Sequence, residues 1–114
     1  MKIDVMELPI LQLYKEKDGK ILLNYKVCKE QYKNQQAIVD YLKSGFIFGA
    51  YPEILYDAFS HKRIPYESII YTDGKYRWTS ELIYYVENYN LILPDYFVER
   101  ALSNKICITE ADLK

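Results

Sequence analysis

Apolar positions along the chain fall into short runs separated by strong breakers. Ile10-Leu11-Gln12-Leu13-Tyr14 and Ile21-Leu22-Leu23-Asn24-Tyr25-Lys26-Val27 flank the polar stretch Lys15-Glu16-Lys17-Asp18-Gly19-Lys20. Asp-Gly between two apolar runs predicts a β-hairpin. The period then changes. Ala37, Ile38, Tyr41 and Leu42 form one stripe of a helix. Asn34 opens it, with a side chain able to accept from a free N–H of the first turn. Gly45 stands where a left-handed residue ends a helix, and Phe46 is expected to fold back on Tyr41.

From Phe46 to Trp78 the punctuation is that of strands. Ile47-Phe48-Gly49-Ala50-Tyr51 and Ile54-Leu55-Tyr56 are short and apolar, and Ser60-His61-Lys62-Arg63 reads as a polar loop. Ser68-Ile69-Ile70-Tyr71 is a strand, Thr72-Asp73-Gly74-Lys75 a tight turn and Tyr76-Arg77-Trp78 the return strand. Alternation puts Tyr76 and Trp78 on one face and Arg77 on the other. Thr79 or Ser80 caps the next helix, with Glu81 in its first turn, where the dipole favours an anion. Leu82, Tyr85, Val86 and Tyr89 make its core stripe, and Glu81, Tyr84 and Asn88 fall on another face. Pro94 suits the first turn of a last helix. There Phe97, Val98, Ala101 and Leu102 face inward, and Asp95, Tyr96, Glu99 and Arg100 face outward. Ile106-Cys107-Ile108 reads as an edge strand or a segment trailing over the core. The expectation is a single α+β domain over residues 1–114. A small antiparallel β-sheet or meander packs against three helices, the last two forming an αα-hairpin.

Composition narrows the function classes. The 114 residues are 50% hydrophobic and 27% charged, with 4 Gly and 4 Pro, which is a globular profile. A chain of this length buries roughly 60–70% of the surface it exposes when unfolded, enough for a core without staples. Lys plus Arg is 15 and Asp plus Glu is 16, so the net charge is −1. That balance argues against a dedicated nucleic-acid binder, whose affinity rests on phosphate contacts. The two cysteines, Cys28 and Cys107, form no metal-binding spacing, and one His cannot complete a zinc set. No run of 18 apolar residues suggests a membrane span. The first residues carry acids and a Pro where a signal peptide needs an apolar core. The expected location is the cytoplasm, with reduced thiols and no cofactor or metal.

The segment Thr72-Asp73-Gly74-Lys75-Tyr76-Arg77-Trp78-Thr79-Ser80-Glu81-Leu82-Ile83-Tyr84-Tyr85, continuing through Leu93-Pro94-Asp95-Tyr96-Phe97, carries a resemblance. It resembles a family of small, largely uncharacterised bacterial proteins with an Asp-Gly, aromatic, Trp, Tyr-Tyr and Leu-Pro-x-x-Phe pattern. The helix ending Tyr41-Leu42-Lys43-Ser44-Gly45 and the acid Asp57 fit the same layout. The resemblance covers residues 34–103, leaves the first 33 unsupported, and has Thr79 where many relatives have Pro. It implies a setting among toxin–immunity or phage-related proteins and brings no catalytic residue. Its matching residues are turn, core and cap residues, so the motif reads as structural, with Asp73 serving its turn.

Chemistry-bearing constellations are sparse. His61, in a polar loop beside Lys62 and Arg63, reads as a solvated His and leaves no Ser-His-Asp or Cys-His arrangement. Phosphate-cradling glycine motifs are absent from the sequence. Tyrosine is the outlier, 13 residues against 4 Phe and 1 Trp. It is enriched at interfaces because it offers a large ring and a hydroxyl at low entropy cost. Residues 80–114 are acidic, so the expectation is a non-enzymatic protein-binding module. In its most concrete form it is an immunity-type protein that occludes a toxin. Tyr84, Glu87, Asp95, Tyr96 and Glu99 would dock on the basic groove of a toxin domain. One alternative is a nucleic-acid-associated accessory protein using Lys15, Lys17, Lys20, Lys26, Lys29 and Lys33. The other is a small hydrolase or metal-dependent enzyme around Asp57 and Asp73.

Overall fold

Three helices and two antiparallel sheets make up the fold, in a computed structural model that describes residues 3–103 and 110–113. The segment Ile106-Cys107-Ile108 lies outside the described residues. The hairpin forms around Asp18-Gly19. Strand β1 (Tyr14–Lys17) pairs with β2 (Lys20–Leu23), Tyr14 facing Leu23 and Lys17 facing Lys20. Asp18 and Gly19 both take positive φ, 52° and 75°. A two-residue turn needs this pair to match the twist of its strands. The apolar run before it stays out of the ladder. Ile10 bridges Arg77, and Leu11 and Leu13 are buried in the core.

Helix α1 (Gln35–Lys43) begins differently from the expectation. Asn34 is left-handed, with φ 69°, and its side chain makes no capping bond. Gln35 does the fastening instead. Its Oε1 accepts from the Tyr32 N–H, and its Nε2 donates to the Val86 carbonyl and to Asn90 Oδ1. The buried stripe is Gln35, Ile38, Val39, Tyr41 and Leu42, whereas Ala37 is exposed. Gly45 is also corrected: its φ is not positive. A Cβ there would stand 2.8 Å from Trp78 Cζ2 and 3.2 Å from the Thr72 carbonyl oxygen. Glycine lets the indole close over the end of α1, where Trp78 Nε1–H donates to the Leu42 carbonyl at 3.0 Å. That bond satisfies one of the free carbonyls that end every helix. Phe46 opens the next strand opposite Thr72.

The second sheet runs β3 (Phe46–Tyr51), β4 (Ser68–Thr72), β5 (Arg77–Thr79), in that order. The outer side of β5 is covered by the N-terminal segment. The Arg77 N–H donates to the Pro9 carbonyl and the Leu11 N–H to the Arg77 carbonyl, both at 2.9 Å. Ile54-Leu55-Tyr56 makes a single bridge, Tyr56 to Arg63, rather than a strand. Helix α2 (Ser80–Tyr89) is capped by Thr79, whose side chain accepts from the Leu82 N–H. It ends on Asn90 in the left-handed conformation that closes a helix. Pro94 precedes α3 (Asp95–Ser103) and does not sit inside it; its carbonyl accepts from the Phe97 and Val98 N–H groups.

The core joins Trp78, Tyr41, Phe97, Leu82, Tyr85, Val86 and Leu42 with Leu11, Leu13, Leu91 and Leu93. Trp78 and Tyr41 both pack edge or tilted against neighbouring rings, with Phe97 5.4 Å from Trp78 and 5.9 Å from Tyr41. Asn90–Pro94 joins the last two helices, and both lean chiefly on α1. Leu102 is exposed, so the inward stripe of α3 is Phe97, Val98 and Ala101. The two ends of the described chain meet, with the Ile3 N–H donating to the Asp112 carbonyl. No described helix is long and apolar enough to cross a membrane. Gly45→Ala should destabilise the fold by about 1–3 kcal/mol, the range for forcing an extra methyl into a packed site. Urea unfolding of the variant beside the wild type checks this.

Candidate functional site: two buried carboxylates and the loop that one of them holds

Asp57 and Asp73 are both buried, at 2% and 1% exposure, and they are built alike. Asp57 Oδ1 accepts from the Phe59 and Ser60 N–H groups at 2.8 and 3.0 Å. Its Oδ2 accepts from the hydroxyls of Tyr84 at 2.6 Å and Tyr89 at 2.5 Å. Asp73 Oδ1 accepts from the Lys75 and Tyr76 N–H groups, both at 2.9 Å. Its Oδ2 takes the Tyr41 hydroxyl at 2.5 Å and Arg100 Nε at 2.6 Å. In each case one oxygen folds its own turn and the other receives two side-chain donors from helices.

Four donors decide the charge state. Burial pushes the Asp57 carboxyl up, but the Tyr84 and Tyr89 hydroxyls and the Ser60 and Phe59 N–H groups hold it well below the usual carboxylate range. Burial likewise works against Asp73, and the Tyr41 hydroxyl, the Tyr76 N–H, Arg100 and the Lys75 N–H outweigh it. The tyrosines respond in the opposite sense. The bond to Asp57, with burial, raises Tyr84 and keeps its hydroxyl protonated and donating.

The Asp57 cluster fixes a loop. Leu55 and Ile64 are its buried feet, joined by the Ile64 N–H donating to the Leu55 carbonyl at 2.8 Å. The Asp57 N–H donates to the Lys62 carbonyl, and the His61 N–H donates to the Asp57 carbonyl. His61 sits in left-handed backbone, φ 62°, with an exposed side chain. The Ala58 N–H donates to the Tyr85 hydroxyl at 2.8 Å, and the Phe59 ring lies 4.6 Å from that of Tyr89. With its backbone held so fully, the loop turns Tyr56 (59% exposed), Phe59 (50%), His61, Lys62 and Arg63 outward, and Ile54 (55%) flanks it.

The residues expected to form a docking face are placed as follows. Tyr84 is half-buried, with its hydroxyl committed to Asp57 and its ring 6.3 Å from Tyr66. Glu87 is exposed and paired with Lys43 at 2.8 Å. Asp95, Tyr96 and Glu99 are exposed on α3, and the Tyr96 ring lies 5.7 Å from Tyr76. Among the described residues, no hydrogen bond, ion pair or ring contact joins the α2 members of this set to the α3 members. Tyr76 and Tyr89 are half-buried at the core margin, and Tyr41 and Tyr85 lie inside it.

The lysine stripe is partly assembled. Cross-strand partners share a face, so the pairing of Lys15 with Leu22 and of Lys17 with Lys20 gathers three lysines on one side of the hairpin. Lys26, Lys29 and Lys33 are exposed in the segment that follows. Asp57 and Asp73 lie in separate clusters with no shared partner among the hydrogen bonds above. A carboxylate already holding four donors has little acceptor capacity left for a metal or a substrate proton. Among the described residues, no group of three or more His, Cys, Asp or Glu is arranged to hold a metal ion.

The loop anchor and the presented aromatics are what sequence reasoning misses. The available signal is Asp57 at the head of Ala58-Phe59-Ser60, since an Asp that folds its own turn bonds N–H groups two and three residues on. Comparison of the chain with known protein families, with curated proteins and with solved structures finds no match.

Acid stability follows from the two clusters. Free aspartate titrates near 3.9, and both folded values lie below that. Each group therefore contributes stability that is complete above the unfolded value and is lost as pH falls through the folded one. The melting temperature should fall progressively below about pH 4. Asp57→Asn should be less stable than wild type at neutral pH, by about 2 kcal/mol or more, and melt correspondingly lower. It should also lose less on acidification. Calorimetry across the acid range on both proteins tests this, and an unchanged acid limb in the variant would contradict it.

Proposed function

We propose that this chain is a protein-binding module whose docking element is the loop Ile54–Arg63. One observation carries the reading. A buried carboxylate with four donors, and the Tyr85 hydroxyl accepting from the Ala58 N–H, hold a ten-residue loop that leaves Tyr56 exposed and half of the Phe59 ring, packed on Tyr89, open to solvent. A loop ordered in advance loses little entropy on binding, so its exposed rings act at full effect. Tyr56 and Phe59 are the aromatic anchors such contacts favour. His61, Lys62 and Arg63 beside them fit an acidic rim on the partner.

The binding class agrees with the expectation drawn from the tyrosine content, and the docking surface moves. Tyr84 supports the loop from beneath instead of meeting the partner. An immunity-type role is one form of this reading, in which the loop covers the functional surface of a toxin. A cytoplasmic location belongs to the same proposal. That the module is not an enzyme is supported by Asp57 and Asp73 each having its acceptor capacity filled.

The test is capture of a partner from the native host by wild-type protein and two variants. Tyr56→Ala with Arg63→Ala should weaken capture roughly tenfold or more, the scale of losing an interface anchor. Glu87→Lys with Glu99→Lys should leave it intact. The opposite pattern would move the docking surface to α2 and α3.

The lysine face of the hairpin favours a second reading, in which the module contacts a polyanion such as nucleic acid through Lys15, Lys17 and Lys20. Retention on single- or double-stranded nucleic acid at low salt should then be lost steeply as salt rises. Lys17→Glu with Lys20→Glu should abolish it. No retention at low salt eliminates this reading.

A further inference from the structure

The hairpin and the loop Ile54–Arg63 are fastened to the same helix, and their fastenings touch. Tyr14 in β1 donates its hydroxyl proton to Glu81 Oε2 at 2.8 Å. Glu81 lies in the first turn of α2, one turn before Tyr85, so the two side chains are neighbours on that helix. The Tyr14 hydroxyl is also hydrogen-bonded to that of Tyr85. Tyr85 in turn accepts from the Ala58 N–H at 2.8 Å. A line of bonds thus runs from the loop backbone through Tyr85 and Tyr14 to Glu81.

The direction of the line is fixed. Tyr85 is 0% exposed and its oxygen holds Ala58, so its own buried proton needs an acceptor. The Tyr14 proton is given to Glu81, which leaves the Tyr14 oxygen free to take the proton of Tyr85. Burial, Tyr85 and Glu81 together raise the Tyr14 hydroxyl and keep it protonated. Without the Tyr14 oxygen the Tyr85 proton loses its acceptor, and the hydroxyl that holds Ala58 is no longer fixed in orientation.

Strand alternation gives the hairpin two unlike faces. Tyr14 and its partner Leu23 pack against the core, whereas Lys15, Lys17 and Lys20 are exposed on the other face. Among the described residues, no hydrogen bonds other than those of Tyr14 join β1 or β2 to a helix.

We propose that Tyr14 is a positioning residue for the docking loop, so that the seating of the hairpin on α2 regulates how firmly Ala58 and its neighbours are held. This regulation rests on the reading of Ile54–Arg63 as the docking element. Asp57 ties the loop from within, and Tyr14 acts beside it through Tyr85. Whatever lifts the hairpin loosens the loop, and by linkage a partner that fixes the loop holds the hairpin down.

Amide hydrogen exchange of the full chain, followed by NMR, tests the proposal. Tyr14→Phe keeps the ring and removes the acceptor. The Ala58, Phe59 and Ser60 amides should then exchange roughly tenfold faster, the scale of one lost hydrogen bond. The Val39 and Tyr41 amides of α1 should change less. Tyr85→Phe should speed the same loop amides. Combining it with Tyr14→Phe should add nothing to Tyr85→Phe alone, because both act through one contact. Loop amides that exchange as in the wild type, that accelerate only in step with α1, or that respond to the two substitutions independently would overturn the proposal. The measurement needs no partner, so its failure would leave the docking reading standing. Capture unaffected by Tyr56→Ala with Arg63→Ala would instead remove the docking reading and leave the link between hairpin and loop intact.

Discussion

A carboxylate taken out of water must be solvated again by the protein, and two such groups organise this fold. Leaving an ionised carboxylate buried without partners would cost several kcal/mol or more. Asp57 and Asp73 meet that requirement with the same device, two N–H groups of their own turn on Oδ1 and two helix-borne donors on Oδ2. Tyrosine suits the task because its ring belongs in the core and its hydroxyl reaches beyond it. Tyr41, Tyr84 and Tyr89 deliver their protons to these acids, and the Tyr85 hydroxyl receives the Ala58 N–H. The high tyrosine content of the chain thus has an internal role before it has an external one. A phenylalanine at any of the first three positions would fill the same volume and leave an acid short of a donor.

The arrangement separates rigid support from presented surface. Helix α2 carries the donors on one side, and the loop it holds carries Tyr56, Phe59 and the cations on the other. The acidic residues Glu87, Asp95 and Glu99 remain at the surface, with Glu87 engaged by Lys43. The molecule therefore shows surfaces of opposite sign, a cationic aromatic loop and an acidic α3. A partner would have to match the one it meets.

Much of the fold was legible because local signals and tertiary needs coincide. Asp18-Gly19 dictates its hairpin, Thr79 caps α2, and the Leu82, Tyr85, Val86 stripe faces inward as its period requires. The expectations that did not hold depend on distant partners. Gly45 reads as a helix stop from its position, yet it is glycine because Trp78, 33 residues later in the chain, closes over it. Asn34 reads as the cap of α1 from its position, yet the helix start is fastened by Gln35, whose amide is received by Val86 and Asn90 on α2 and at its end. The candidate site was the least legible part. Tyr84 lies on an outward face by helical period, but that period says nothing of a loop laid over the face. Asp57 marks the anchor in the sequence, while its tyrosine donors, 27 and 32 residues on, do not declare themselves.

Asp73 sits in the tight turn between β4 and β5, and its Oδ2 partners come from α1, 32 residues earlier, and α3, 27 residues later. One carboxylate therefore ties the turn to both helices and works as a latch. Removing it would free the Tyr41 hydroxyl and the Arg100 guanidinium together and so unfasten α3 from α1 at a single point.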